Sequence, residues 1–429
     1  MSTRRPVSNE PPLERAALIG LVQRGPHRSD PDTILDELAG LAKAAGADVV
    51  LRAVQDRGAP SPATLIGRGK AESIRLACEE LGVTLVISDH DLSPAQARNL
   101  EKIIGRRVID RTELVLDIFA LRARTREGQL QVELAQLQYM LPRLVGSSDA
   151  LSRLGGGIGT RGPGETKLET DRRRIRYRIA ALKRDIGEVR RRRGRLRERR
   201  QRADVPTVAL VGYTNAGKTT LFNALTGATA TASDALFVTL DPVVRRIKLP
   251  DARQLVVADT VGFLDRLPHD LVAAFHATLE EVVGADVLLH VIDASATDRE
   301  RRANAVRSVI TEVGAGDVPM IDVFNKCDRI DADELARLRA QHPTAVFISA
   351  LRGTGRQELV NIVASRLAMD SERLTLRLDS RRAADQRLIA DLYRHARVIG
   401  HTTKGHRIAI EADVPRRLAD RYRRREVPA

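Results

Sequence analysis

Tryptophan is absent and aromatic residues make up only 3% of the 429-residue chain, so a platform of rings on which nucleobases stack is not expected. Cysteine is almost as scarce. Cys78 and Cys327 stand far apart with no histidine cluster beside them, which argues against a disulfide framework or structural zinc site and fits a reducing, cytoplasmic setting. Long apolar runs are missing as well. Ala16 to Val22 is too short to cross a bilayer and no small-residue cleavage pattern follows it, so neither a membrane anchor nor secretion is expected. An acidic excess is also lacking: Lys and Arg number 71 against 56 Asp and Glu, a net charge of +15 that favours a polyanionic partner, nucleic acid foremost. With 43% hydrophobic and 30% charged residues, the chain is neither a disordered polyampholyte nor a membrane protein. Its length accommodates several domains.

From Ala17 to Asp110, short apolar runs at Leu18–Val22, Val49–Val54, Leu85–Ser88 and Val108–Asp110 alternate with helical periodicity, the pattern of a parallel βαβ domain. Asp30-Pro31 and Ser93-Pro94 mark helix starts, each placing a capping side chain before a proline suited to the first turn. Asp89, His90 and Asp91 read as a solvated strand-to-helix loop, and Ile66-Gly67-Arg68-Gly69-Lys70 has too few glycines to count as a phosphate cradle. Leu130, Leu134, Leu137 and Leu141 then form one helical seam, and Ile175, Ile179, Leu182, Ile186 and Val189 a second, so the two helices are expected to pair as an antiparallel coiled-coil hairpin. Between them runs Gly155-Gly156-Gly157-Ile158-Gly159-Thr160-Arg161-Gly162-Pro163-Gly164, too glycine-rich for helix and read either as a plain linker or as a functional tip flanked by Arg153, Glu165 and Lys167.

The positive charge is concentrated. Residues 172–202 hold 16 Lys or Arg against Asp185, Glu188 and Glu198, a local balance of +13 that is almost all arginine and suits phosphate recognition better than simple solubility. After residue 369, Leu374–Leu378 alternates as a strand, Arg382–Val398 has helical spacing, and Ile399–Ala412 reads as a hairpin turning at Lys404-Gly405. The last arginines, Arg416 to Arg425, fit RNA contact and plain solvation equally well.

The sharpest signal is Gly212-Tyr213-Thr214-Asn215-Ala216-Gly217-Lys218-Thr219, directly after the apolar run Thr207–Val211 and before the helical pattern Thr220–Leu225. This is GxxxxGK[ST] in its strand-loop-helix setting: backbone N–H groups cradle the β-phosphate, Lys218 reaches the β and γ oxygens, and the Thr219 hydroxyl ligates Mg²⁺. Asp259-Thr260-Val261-Gly262 follows a second apolar run, where Asp259 is placed to hold Mg²⁺ and the Gly262 N–H to meet the γ-phosphate. Asn325-Lys326-Cys327-Asp328 follows a third. A carboxylate at Asp328 accepts from guanine N1–H and the 2-amino group, which adenine cannot offer, so GTP/GDP is the expected nucleotide pair. Ser349-Ala350-Leu351 completes the base pocket, with the Ala350 N–H expected at guanine O6. Thr220 closes the phosphate side of the set.

These strings, together with Gly155–Arg173 (GGGIGTRGPGETKLETDRR), Leu236–Pro242 (LFVTLDP) and the stretch from Asp259 to Ile292, make the chain similar to the HflX family of translational GTPases from about residue 17 to about residue 370. The resemblance implies a family-specific N-terminal domain, a Ras-like G domain, binding to the large ribosomal subunit and its rRNA, and a role in rescuing or splitting stalled ribosomes under stress. It also implies that Thr239, with Phe237 and Val238 before it, forms switch I and completes the Mg²⁺ shell of Thr219 and Asp259. Lys218, Thr239 and Gly262 would then carry catalysis. Asn215 resembles the potassium-binding asparagine of related GTPases, which makes K⁺ a further candidate cofactor. The expected fold class is α/β: a disordered start (1–16), a parallel α/β domain (17–126), the coiled-coil hairpin (127–203), a P-loop GTPase domain (204–370) and a small α+β domain (371–429). The expected protein is a free monomer with no membrane contact. A GTPase of ribosome assembly or tRNA modification, and a nucleotide-gated RNA-binding scaffold with little turnover, are the alternatives.

Overall fold

A computed structural model of the chain describes residues 14–22, 31–144, 163–202, 205–228, 236–237, 242–248, 254–264, 276–368 and 371–423. The chain divides into two compact units. The first opens with β1 (Glu14–Val22), α1 (Pro31–Ala44), β2 (Ala47–Asp56), α2 (Arg68–Glu80), β3 (Leu85–Ser88), α3 (Pro94–Ile104) and β4 (Arg107–Asp110). Its sheet has the order β2-β1-β3-β4 and every pairing is parallel. A central strand of such a sheet is covered on both faces, which is why β1 from Ala16 to Val22 and all of β3 are buried without alternation. β1 begins at Glu14, ahead of the expected domain edge at 17, because Glu14 and Arg15 already pair with Ala47 and Asp48. Ser93 builds a full capping box with Gln96 at the start of α3, with Pro94 at the first helical position.

In the loop after β3, expected to be solvated, Asp89 is instead buried in an ion pair, while Asp91 stays exposed. Asp89 is buried and accepts from Arg111 Nη1 at 2.9 Å, while Arg111 Nη2 reaches Glu37 at 2.6 Å, so two carboxylates offset one buried guanidinium. Asp91 accepts from the Thr112 hydroxyl at 2.6 Å. Next come α4 (Arg111–Arg122) and α5 (Arg126–Arg143). Asp110 caps α4 through the Glu113 N–H and also accepts from Tyr139 Oη at 2.8 Å and Arg143 Nη2 at 2.8 Å. Burial, with the Asp110 carboxylate close by, pushes the Tyr139 phenol well above its ordinary range.

The second helix of the hairpin, α6, runs from Pro163 to Arg202. It starts inside the glycine-rich run, because Pro163 and Gly164 sit in the first turn, where a missing N–H costs nothing. Gly155–Gly162 fall outside the described residues. The seam forms in part: Leu182 and Ile186 bury against Leu130, with Leu134 and Leu137 packed on them, and Arg178 makes a two-pronged pair with Glu133 at 2.6 and 2.7 Å. Leu236 and Phe237 also belong to this first unit. Phe237 is 3% exposed and meets Phe119 edge-on, ring centroids 4.7 Å apart.

The second unit holds β5 (Thr207–Gly212), α7 (Lys218–Thr226), β6 (Val243–Lys248), β7 (Gln254–Asp259), α8 (His276–Val283), β8 (Val287–Asp293), α9 (Arg299–Glu312), β9 (Met320–Asn325), α10 (Ala332–Gln341), β10 (Val346–Phe347) and α11 (Arg356–Ala368). The sheet order is β10-β9-β8-β5-β7-β6, parallel except for the antiparallel edge strand β6. β5 is buried throughout, so the phosphate loop springs from the centre of the sheet, at the carboxyl end where open α/β sheets bind ligands. Val208, Leu210, Leu289, Val291 and Val323 form the core beneath it.

The chain then continues through β11 (Ser371–Asp379), α12 (Ala383–His395), β12 (Arg397–Lys404), β13 (Arg407–Pro415) and α13 (Arg416–Arg423), with sheet order β11-β13-β12, all antiparallel. The expected helix to Val398 ends at His395, because Arg397 and Val398 pair with Asp413 and Ala412 in β13. The arginine-rich end is a helix whose Ala419 and Tyr422 are fully buried, and Tyr422 Oη donates to Asp391 at 2.8 Å. Arg421 and Arg423 pair with Asp391 and Glu372.

Candidate nucleotide site

The loop between β5 and α7 is shaped by backbone angles that side chains resist. Gly217 has φ +92°, and a Cβ there would collide with Asn325 Nδ2; Asn215 itself sits at φ +59°. Lys218 is 6% exposed, and its Nζ donates to the carbonyls of Gly212 (3.0 Å) and Tyr213 (2.8 Å). Burial lowers its pKa to about 8, with Lys326 adding to the fall and the Asp259 carboxylate opposing it. A buried ammonium whose hydrogen bonds run to the neutral carbonyls of Gly212 and Tyr213 suits an anion.

Thr219 Oγ1 donates to Asp259 Oδ2 at 2.8 Å, and Asp259 is fully buried at the end of β7. A hydroxyl and a carboxylate converging beside a phosphate loop are hard oxygen donors of the kind Mg²⁺ prefers, so these residues fit the ion. Thr260 is tied by its hydroxyl to Leu210 O at 2.6 Å, which fixes β7 to β5. Gly262 lies against the loop so closely that a Cβ would stand 2.8 Å from Thr214 Cα and 3.1 Å from Lys218 Nζ. Phe263 bridges the loop in both directions, its N–H to Gly212 O at 3.1 Å and its carbonyl from the Thr214 N–H at 2.8 Å. Val261 is buried beside them.

On the base side, Asn325 links two loops. Its Nδ2 donates to Ala216 O at 2.9 Å, and its Oδ1 accepts the Ala350 N–H at 2.9 Å, the group expected at guanine O6. Lys326 sits at φ +63° and pairs with Asp293 at 2.7 Å. The Ser349 hydroxyl, with Arg352 nearby, holds the Asp328 carboxyl below its ordinary range and so keeps it an acceptor at neutral pH. Leu351 is 77% exposed, an uncovered apolar side chain at this rim.

The structure thus brings Gly212–Thr220, Asp259–Gly262 and the Asn325, Asp328 and Ala350 group to one end of one sheet. Phe237 lies in the first unit, and Val238 and Thr239 fall outside the described residues. Two contacts had no sequence signal: the Lys326–Asp293 pair, and Arg302, whose guanidinium carbon lies 5.0 Å from the centre of the Tyr213 ring. Among the described residues no helix is long and apolar enough to cross a membrane.

Three family models match consecutive stretches: the GTP-binding GTPase N-terminal region over residues 32–120, the GTP-binding GTPase middle region over 122–200, and a model described as a 50S ribosome-binding GTPase over 207–326. The chain is similar to the GTPase HflX of Caldanaerobacter subterraneus, 42% identical across 96% of this chain and 93% of that one. It is also similar to the GTPase HflX of Escherichia coli, 49% identical across 80% and 81% of the two chains. A crystal structure of a GTP-binding protein from Sulfolobus solfataricus in complex with GDP aligns over 82% of this chain and 98% of that one, at 25% identity and a TM-score of 0.42. With matching family models across most of its length and relatives this similar, the chain belongs to the HflX family: it is a P-loop GTPase that binds GTP and GDP and hydrolyses GTP.

Proposed function

We propose that this GTPase acts on the ribosome, gripping the large subunit and its rRNA in the GTP state and releasing it after hydrolysis, and that its task is to rescue or split stalled ribosomes under stress. The observation that carries this reading is the +13 charge over residues 172–202, on the helix α6 that leads into the nucleotide-binding unit. Arginine at that density binds phosphate backbones through counterion release, and the scarcity of aromatics turns recognition toward shape and phosphate. The description of the model matching residues 207–326, a 50S ribosome-binding GTPase, points the same way.

In the proposed reaction, water attacks the γ-phosphorus in line. Lys218 neutralises the β and γ oxygens, the Gly262 N–H contacts the γ-phosphate, and Asp328 with the Ser349-Ala350-Leu351 loop selects guanine. Thr219, Asp259 and Thr239 would hold Mg²⁺, which when bound would offset phosphate charge. Asn215 is the proposed K⁺ contact, and the free protein is proposed to be a cytoplasmic monomer.

Cosedimentation with large subunits in the presence of a non-hydrolysable GTP analogue or GDP tests the reading. Retention with the analogue, loss with GDP and faster hydrolysis on adding subunits are expected. Equal retention in both states, or turnover indifferent to subunits, refutes it, and preferential binding to tRNA or to ribosome precursors would favour a GTPase of RNA modification or assembly.

A further inference from the structure

We propose that Arg302 on α9 is a positioning residue for nucleotide binding and hydrolysis, acting by clamping the phosphate loop through the ring of Tyr213. The clamp presupposes that residues 212–219 hold the phosphates. Tyr213 is the second residue of that loop and is 5% exposed. Its carbonyl accepts Lys218 Nζ, and its two neighbours carry the hydrogen bonds to Phe263, so wherever the Tyr213 backbone sits, the Lys218 ammonium and the Asp259–Gly262 segment follow. The side chain lines a small open cleft together with His290, Asp293, Arg299 and Arg302.

Arg302 is placed to hold that ring. Its guanidinium carbon stands 5.0 Å from the ring centre, inside the range of a cation–π contact. Its Nε is 2.7 Å from Asp298 Oδ1, and Asp298 pairs with Arg301 as well, at 2.6 Å. Asp298 occupies the N-cap position of α9, yet its side chain makes no capping bond to the helix. An aspartate there ordinarily satisfies an exposed N–H of the first turn. Here its carboxylate is turned to the arginines instead. The helix does not need Arg302 for its packing, since Ala303, Val306 and Ile310 bury its inner face. The contact with Tyr213 is therefore separable from the fold of α9.

A double-mutant cycle tests the clamp, reading release of a fluorescent GDP analogue, kcat and KM for GTP, and thermal melting without nucleotide. Arg302→Ala and Tyr213→Leu are each expected to speed GDP release about tenfold and to lower kcat/KM, with the melting temperature of Arg302→Ala unchanged. The double variant is expected to be no worse than either single one, because both remove the same contact. Arg302→Lys, which keeps the cation, should fall between the parent and Arg302→Ala. Additive effects in the double variant, parental GDP release in Arg302→Ala, or a lower melting temperature without faster release overturns the proposal. Lys218→Met in the same assay separates the two readings: if it binds GDP as the parent does, the phosphate-loop assignment itself fails, whatever Arg302 does.

Discussion

Raising the pH from 7 to 9 is expected to weaken GTP and GDP binding about tenfold, through Lys218. In the free protein this side chain is buried against the carbonyls of Gly212 and Tyr213, and burial brings its pKa down to about 8. About nine in ten molecules then carry the ammonium at pH 7 and about one in ten at pH 9. Phosphate oxygens beside Nζ favour the charged form, so binding returns the pKa to the ordinary lysine range and the complex is protonated at both pH values. Binding at pH 9 must accordingly draw in close to one proton, and binding at pH 7 close to none. Calorimetry in buffers of different ionisation enthalpy counts that proton directly. The absence of uptake at pH 9 refutes the reasoning, as does an equal decline of affinity with pH in Lys218→Met, which would place the titrating group elsewhere. The same shift has a signed effect on folding. The unfolded chain binds the proton up to an ordinary lysine pKa and the folded chain only up to about 8, so between those values the unfolded state holds more protons and this group's contribution to stability rises with pH. Below pH 8 the buried ammonium costs the nucleotide-free fold, and phosphates remove that cost.

Asp328→Asn replaces the acceptor for guanine N1–H and the 2-amino group with an amide, and GTP affinity is expected to fall by about 3 kcal/mol while xanthine nucleotides gain; parental GTP affinity in a binding titration rejects the pocket. Gly217→Ala forces a Cβ into Asn325 at a φ of +92°, so it should abolish nucleotide binding and leave the fold by circular dichroism intact. Reversing the charge of Arg190 to Arg193 should weaken ribosome binding and flatten its salt dependence with nucleotide affinity unchanged, whereas shortening Gly155–Gly164 should spare affinity and abolish the effect on the ribosome; a shortened loop with parental stimulation of hydrolysis makes it a plain connection.

The parallel strands were legible because burial on both faces leaves continuous apolar runs, as in Leu85–Ser88 and Thr207–Gly212. Helices with one apolar stripe were legible too. α4 was not, because Thr112, Leu114, Val115, Leu116, Ile118 and Phe119 are all buried and no polar face marks its period. α13 escaped for the opposite reason: among its described residues Ala419 and Tyr422, with Leu418 packed beside them, anchor it among arginines, too few points for a pattern. The nucleotide motifs were readable since each is contiguous and follows a strand. What joins them is not: Asn325 reaches Ala216 and Ala350, and Asp293 reaches Lys326, across sequence gaps that no spacing rule covers. Nor does any motif place Phe237 against Phe119, which packing alone decides.

Phe263 shows how sequence and structure constrain the chemistry together. It follows the Gly262 of the Asp259 motif, where many regulatory GTPases carry a glutamine that orients the attacking water, and a phenyl ring neither donates nor accepts. A ring in that place would be harmless if its backbone were left to do the work. Here the Phe263 N–H and carbonyl are both bonded to the phosphate loop, at Gly212 and Thr214, and the residue is 5% exposed. Neither its side chain nor its main chain is then left to hold a water. The burial does have a use, since those two bonds seat Gly262 against Thr214 and Lys218, where only a glycine fits. The position would thus serve to bring the Gly262 N–H to the proposed γ-phosphate site, and the group that orients water is proposed to come from a cation at Asn215 or from the ribosome. Hydrolysis by the free protein is therefore expected to be slow, and single-turnover rates in K⁺ and Na⁺, with and without large subunits, test this. A fast rate indifferent to all of them would mean that a residue of this chain already supplies the missing contact.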